Sequence, residues 1–262
     1  MRGVLFDLEG VLHVSLERIP GAVDTLRALA ARNIPRRFVT NTTTASTSVL
    51  GESLRSIHFP IQDDEILTAG SATAEYIHRR WPNARCYLIA KGAVDEDFRR
   101  LGIDLVPDDD EATAEVVVIG GAEERLTYER MNRAYRLLTN GARLVAMHRN
   151  RHWRTSTGMR LDSGPYVTAL EEAAGVRALT IGKPSLPFFR QAVRMLDLPP
   201  RQVVMVGDDG KNDLAPARKL GMRTVLVRTG KPVTLEDEAH ADLVLDSVAA
   251  LPDVFNGLFP AD

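Results

Sequence analysis

The chain has 262 residues, 44% hydrophobic and 26% charged, a balance that suits a globular protein with an ample core and excludes a disordered or fibrous one. Its 33 Lys and Arg against 35 Asp and Glu leave a formal net charge of −2, so no global basic field favours nucleic acid as a partner. No apolar run approaches the ~20 residues of a membrane-spanning helix, the lone cysteine Cys86 cannot close an internal disulfide, and Val4-Leu5-Phe6-Asp7 is reached without a charged leader followed by a long apolar segment. The expected place of work is the cytoplasm, with no membrane partner.

Short runs rich in Val, Ile and Leu alternate with longer amphipathic stretches, which reads as strand and helix in alternation and so as an α/β protein with parallel sheets. In chain order, strands are expected at residues 3–6 and 37–40, then at 86–90, 116–120 and 144–147, and finally at 203–206 and 224–227. Each is nearly continuous in apolar character, as strands covered by helices on both faces are. A helix is expected over residues 128–138. The middle set forms a second α/β unit, and the turn-rich stretches 79–83 and 175–180 mark its joins. The expected organisation is a doubly wound parallel core from residues 1–78 and 180–262, with residues 79–179 as an inserted α/β domain. The acidic run Asp108-Asp109-Asp110-Glu111 reads as a solvated loop, Cys86 as a small core residue and Trp81 as a packing residue near the join.

The informative residues follow strands. Asp7 ends the first, Thr40 and Asn41 end the second, and Asp208 and Asp209 follow residues 203–207. In a doubly wound sheet the carboxyl ends of parallel strands share one edge, where ligands bind near the reversal of strand order. Carboxylates that converge there repel one another unless a cation lies between them. Mg²⁺ suits that role, since it prefers oxygen ligands and bridges to phosphate. Asp7 can act as a nucleophile that forms an aspartyl-phosphate, Lys183 as a point charge on phosphate, and Thr40 and Asn41 as neutral donors to phosphate oxygens. Taken singly, each has a plainer reading: Asp7 as a turn former or cap, Lys183 as a surface lysine before a helix-opening proline, and Asp213 as an acid favoured by a helix dipole.

Residues 6–12 (Phe-Asp-Leu-Glu-Gly-Val-Leu), Val39-Thr40-Asn41, Gly182-Lys183-Pro184, and Gly207-Asp208-Asp209 through Asp213 stand in the order of the four motifs of the haloacid dehalogenase (HAD) superfamily, which the chain resembles along essentially its whole length. The insertion resembles the α/β cap of the NagD-like subfamily, called IIA. Residues 37–43, 164–171 and 227–231 are similar to the branch of phospholysine/phosphohistidine/inorganic pyrophosphate phosphatases.

The resemblance implies that Asp7 attacks phosphorus and binds Mg²⁺, that Asp208 ligates the metal with Asp213 in support, and that Thr40, Asn41 and Lys183 hold the phosphoryl group of a small phosphorylated substrate. It implies that Glu9 binds metal through its backbone carbonyl and carries protons with its side chain. The chain departs from the pattern here, since most members have Asp at this position.

The stretch His148-Arg149-Asn150-Arg151-His152-Trp153-Arg154 admits two other stories. Zinc on His148 and His152 lacks further ligands nearby, and a basic, aromatic loop for single-stranded nucleic acid is isolated on a neutral protein. By resemblance the loop reaches over the active site, with His148 and Arg151 on the substrate, and caps of this kind pair, which makes a homodimer an expectation left open. A phosphate-ligand binder with little turnover and a haloalkanoate dehalogenase remain as alternatives to a Mg²⁺-dependent phosphatase.

Overall fold

A computed structural model describes residues 2–109, 111–155 and 158–258, without the side chains of Arg154, Thr155, Phe255 and Asn256. Asp110 of the acidic run and the Arg154 side chain of the basic stretch therefore lie outside the described residues. The chain divides by its own packing into two units, one of Met1–Thr40, Leu50–Leu67 and Lys183–Asp262, the other of Asn41–Val49 and Thr68–Gly182.

The first unit is built on a six-stranded parallel sheet in the spatial order Leu243–Leu245, Arg223–Val227, Val203–Gly207, Gly3–Asp7, Arg36–Thr40, Ile66–Thr68. Numbered within this sheet, that is the doubly wound order 6-5-4-1-2-3, and the direction of winding reverses between Gly3–Asp7 and Val203–Gly207. The register pairs Phe6 with Val206 on one side and Asp7 with Val39 on the other, so the chain leaves three adjacent strands at one edge. All five residues of Gly3–Asp7 are buried. Val4 and Phe6 face Leu26, Leu29 and Phe38 in one cluster, where the rings of Phe6 and Phe38 stack at 6.1 Å. Helix Leu186–Leu196 packs against the first two strands. Each fully buried side chain of this size contributes roughly 1.5–3 kcal/mol, which fixes the strand ends that carry the chemistry.

The second unit has a four-stranded parallel sheet in the order Leu179–Thr180, Arg143–Ala146, Val116–Ile119, Cys86–Ile89. Val116–Ile119 is buried throughout, as a β-branched run covered on both faces should be. Cys86 is fully buried, and Trp81 packs edge-on to Tyr76 beneath the Arg143 guanidinium. The expected helix spans Tyr128–Thr139, with the Thr127 hydroxyl capping the Arg130 N–H. The α/β architecture with parallel sheets agrees with the expectation. The edge strands Ile66–Thr68 and Leu243–Leu245 escaped sequence reading because three residues show no period.

Candidate active site

Strand Gly3–Asp7 delivers Asp7 to the point where the winding reverses, and the Leu8 N–H donates to its Oδ1 at 2.8 Å. The neighbouring strand Val203–Gly207 delivers Asp208. Asp209 then caps the turn Gly210–Leu214, accepting from Lys211 N at 3.1 Å and Asn212 N at 2.8 Å, and that turn presents the fully buried Asp213. Lys183 lies between these acids, with Nζ 2.8 Å from Asp7 Oδ1 and 2.7 Å from Asp213 Oδ1. Asp7, Asp208 and Asp213 each bring a carboxylate oxygen within 4.8 Å of the others. Four of the expected site residues, Asp7, Lys183, Asp208 and Asp213, are thus brought together.

Three carboxylates against one ammonium leave two negative charges uncompensated when all are ionised. Burial and the charge of Asp7 push the Asp208 carboxyl up to about 6, although the Lys231 N–H opposes the shift. Burial, reinforced by Asp7, drives Asp213 well above the usual carboxylate range despite its ion pair with Lys183. Burial alone would lower Lys183, but the Asp213 and Asp7 charges outweigh it and keep the ammonium firmly charged.

Thr40 is buried at the end of its strand. Asn41 belongs to the second unit, its Oδ1 close against Gly182. Glu9 does not join the clustered oxygens, because its carboxylate turns onto the hairpin formed by His13–Val14 and Glu17–Arg18. Burial raises the Glu9 carboxyl, but hydrogen bonds from His13 and the Ser15 N–H outweigh that and hold it below its ordinary value. Arg151 is exposed. His148 is 3% exposed and faces Thr43, Asp162 and Ser163, with Nδ1 accepting from the Asn150 N–H at 3.3 Å.

Comparison with known proteins decides the family. Residues 4–104 match the haloacid dehalogenase-like hydrolase family and residues 180–251 a HAD-hydrolase-like family. The chain is 39% identical to the haloacid dehalogenase-like hydrolase domain-containing protein 2 of Rattus norvegicus, over 91% of this chain and 88% of that one. It is 32% identical to the phospholysine phosphohistidine inorganic pyrophosphate phosphatase of Homo sapiens, over 97% and 94% of the two chains. Among solved structures, a p-nitrophenyl phosphatase from Archaeoglobus fulgidus superposes with a TM-score of 0.87 at 31% identity, covering 97% of this chain and 98% of that one. The chain belongs to the haloacid dehalogenase-like hydrolase family. It is a hydrolase of that family's phosphatase type, with NagD-like structural neighbours.

Sequence reasoning noted residues 227–231 only as part of a resemblance and gave no site role to the loop that closes this hydrolase's acid cluster. The Lys231 N–H donates to Asp208 Oδ2 at 2.9 Å, its ammonium pairs with Asp209, and the Thr229 hydroxyl donates to Gly10 O at 2.6 Å. A Cβ on Gly230 would lie 2.0 Å from Asp208 Oδ2, and one on Gly10, which has φ 81, would lie 2.4 Å from the same atom, so both positions require glycine. The available signal was Thr-Gly-Lys directly after strand Arg223–Val227.

The cluster's chemistry fits a hard divalent cation. Its ligand atoms are all oxygens, and the buried Asp213 Oδ2 has no hydrogen-bond partner among the described residues, an unsatisfied acceptor that a cation or its water shell would satisfy.

Proposed function

We propose that the protein is a Mg²⁺-dependent phosphatase that transfers the phosphoryl group of a small ester, phosphoramidate or pyrophosphate first to Asp7 and then to water. The observation that carries this reading is the convergence of Asp7, Asp208 and Asp213 around Lys183 where the winding of the sheet reverses. Asp7, Asp208, Asp213 and the Glu9 backbone carbonyl would hold Mg²⁺, which supplies charge for phosphate oxygens and relieves the repulsion among the acids.

Asp7 forms a new P–O bond as the bond to the leaving group breaks, and the leaving atom takes up a proton. Water then bonds to phosphorus and gives up a proton, the P–O bond to Asp7 breaks, and the carboxylate is restored. Lys183 restrains the Asp7 carboxylate and offsets the charge of the incoming phosphoryl group, with Thr40 and Asn41 as hydrogen-bonding partners for it. We assign phosphoryl chemistry to the core expected at residues 1–78 and 180–262, and choice of leaving group to the cap at residues 79–179, with Arg151 and His148 on its side. We infer a cytoplasmic enzyme, with pairing through the caps as its expected assembly.

The engagement of Glu9 with the hairpin supports a second reading, a phosphate-ligand binder with slow turnover. Phosphate release from p-nitrophenyl phosphate and chloride release from a haloalkanoate, each with Mg²⁺ and with chelator, separate the classes. The phosphatase reading expects phosphate release that chelator abolishes. Full activity in chelator overturns the metal role, chloride release points to the dehalogenase, and saturable phosphate binding without turnover selects the binder.

A further inference from the structure

Both oxygens of the Glu9 carboxylate are occupied on the hairpin. Oε1 accepts from the Ser15 N–H at 2.8 Å, and Oε2 lies 3.1 Å from His13 Nδ1. Ser15 and Leu16 turn the hairpin at φ 50 and 66, and the Gly10 N–H donates to His13 O at 2.7 Å, which ties the hairpin base to the strand end. The His13 side chain is 8% exposed and that of Glu9 58% exposed, so the imidazole is the fixed member of the pair and the carboxylate the movable one.

The ring's other nitrogen settles the direction of the hydrogen bond. His13 Nε2 is buried with no partner among the described residues, and a proton there would be a buried unsatisfied donor. Nδ1 therefore carries the proton and donates to Glu9. The Leu16 N–H also approaches this nitrogen, at 3.4 Å, a longer contact than the 3.1 Å to Glu9 Oε2.

The backbone beside Glu9 tells the other half. A Cβ on Gly10 would sit 2.4 Å from Asp208 Oδ2, and Gly10 O accepts from Thr229. Glu9 thus has its main chain beside the acid cluster and its carboxylate directed away from it.

We propose that His13 is a positioning residue, which clasps the Glu9 carboxylate on the hairpin and thereby limits its service as the proton carrier of phosphoryl transfer. The inference rests on the phosphatase reading. As the bond from phosphorus to the leaving oxygen breaks, the electron pair stays on that oxygen, which takes a proton from the Glu9 carboxylic acid. As water bonds to phosphorus and the bond to Asp7 breaks, the water proton passes to the Glu9 carboxylate, so the cycle closes without a co-reactant. Either transfer requires the carboxylate to leave two N–H donors. An alkyl phosphate needs that proton far more than a nitrophenyl phosphate, whose leaving group departs as a stable anion.

The test is the ratio of kcat/KM for phenethyl phosphate to that for p-nitrophenyl phosphate, with Mg²⁺ present. His13→Leu or His13→Phe, which lack the N–H, should raise the ratio about 10- to 100-fold, the lower part of the range for general acid-base assistance. Adding Glu9→Gln should erase the rise. His13→Asn, whose amide N–H can stand in for Nδ1–H, should keep the wild-type ratio. An unchanged ratio in both His13→Leu and His13→Phe, or a rise that survives Glu9→Gln, overturns the proposal.

Hydrogen exchange at the Ser15 amide reads the clasp without turnover. Exchange should quicken at least about tenfold in Glu9→Ala, roughly the loss of one charge-assisted hydrogen bond, and stay slow in His13→Asn. Unchanged exchange in Glu9→Ala removes the clasp even if the enzyme is active. Absence of wild-type turnover on both esters would instead overturn the phosphatase reading and the proton-carrier role together, whatever the exchange shows.

Discussion

The two parallel sheets of this chain are made of nearly interchangeable material. Val203–Gly207 in one and Val116–Ile119 in the other are buried, valine-rich runs that say nothing about chemistry. Their ends differ completely. The first sheet's strands run into Asp7 and Asp208, with Asp213 and Lys183 folded over the same edge. Three of the second sheet's strands run into Ala90, Gly120 and Met147, the last followed by a buried His148 held by neutral and acidic neighbours, and its two-residue edge strand Leu179–Thr180 alone leads on to a site residue, Lys183. Both sheets supply an edge, and only the residues beyond the strands make one of them reactive.

That comparison breaks if the acid edge is not reactive, and Asp7→Asn is the strongest blow that can be dealt to it. Asparagine keeps the shape of the side chain and removes the anionic nucleophile, so turnover should fall by about 10⁴-fold or more. Thermal stability in chelator should hold or rise, since Asp7 is one of the charges that push Asp208 and Asp213 up. Phosphate release by the purified variant at near the wild-type rate would refute the nucleophile.

The next largest effect separates charge balance from packing. Lys183→Met leaves three buried carboxylates without their ammonium, and removal of one partner from a buried ionic set typically costs about 3–5 kcal/mol. Mg²⁺ should restore part of that loss, because a cation bound only by the folded state stabilises it in proportion to RT ln(1 + [L]/Kd). Thermal melts in chelator and in Mg²⁺ check this. A variant as stable as wild type in chelator would show that the acids are not sharing the lysine's charge.

The acid edge was legible because Asp7 ends, and Asp208 directly follows, a strand whose apolar run is visible in the chain. Asp7 and Asp208 needed only the doubly wound topology to be drawn together, whereas Lys183, beyond Leu179–Thr180 of the other sheet, and Asp213, inside the turn Gly210–Leu214, were reached through the motif resemblance. Glu9 was legible as a residue but not as a geometry. Its carboxylate direction depends on a hairpin whose turn has two non-glycine residues at positive φ, and neither Ser15 nor Leu16 advertises that conformation. The segment Asn41–Val49 was also opaque. Its partners, Gly121 N on Thr43 and Asp97 on Thr47, lie 78 and 50 positions away, and such bonds leave no local pattern. His148 could be noticed by type, but its burial is set by Thr43, Asp162 and Ser163 from separate parts of the chain.

The smallest expected effect sharpens the contrast from the other side, since the second unit also holds a buried acid, one paired with an arginine. Glu171 receives a two-pronged guanidinium, from Arg149 Nη1 to Oε1 at 2.8 Å and from Nη2 to Oε2 at 2.7 Å, and Oε1 also accepts the Ala178 N–H at 2.8 Å. The Arg149 hydrogen bonds, against the opposing effect of burial, lower the Glu171 carboxyl from its ordinary 4.5 to about 2. Because the folded value lies below the unfolded one, the unfolded chain binds more protons in between. The pair's stabilisation is therefore complete above about 4.5 and lost as pH falls through about 2. The Arg149 side chain is 38% exposed, so solvent screening reduces the loss in Arg149→Ala to about 1 kcal/mol at pH 7, the upper end for exposed pairs. Urea midpoints of wild type and Arg149→Ala should differ at pH 7 and draw together as pH approaches 2, with phosphatase activity at pH 7 retained. A gap that stays constant across that range would mean that Arg149 stabilises through the packing of its stem rather than through the carboxylate.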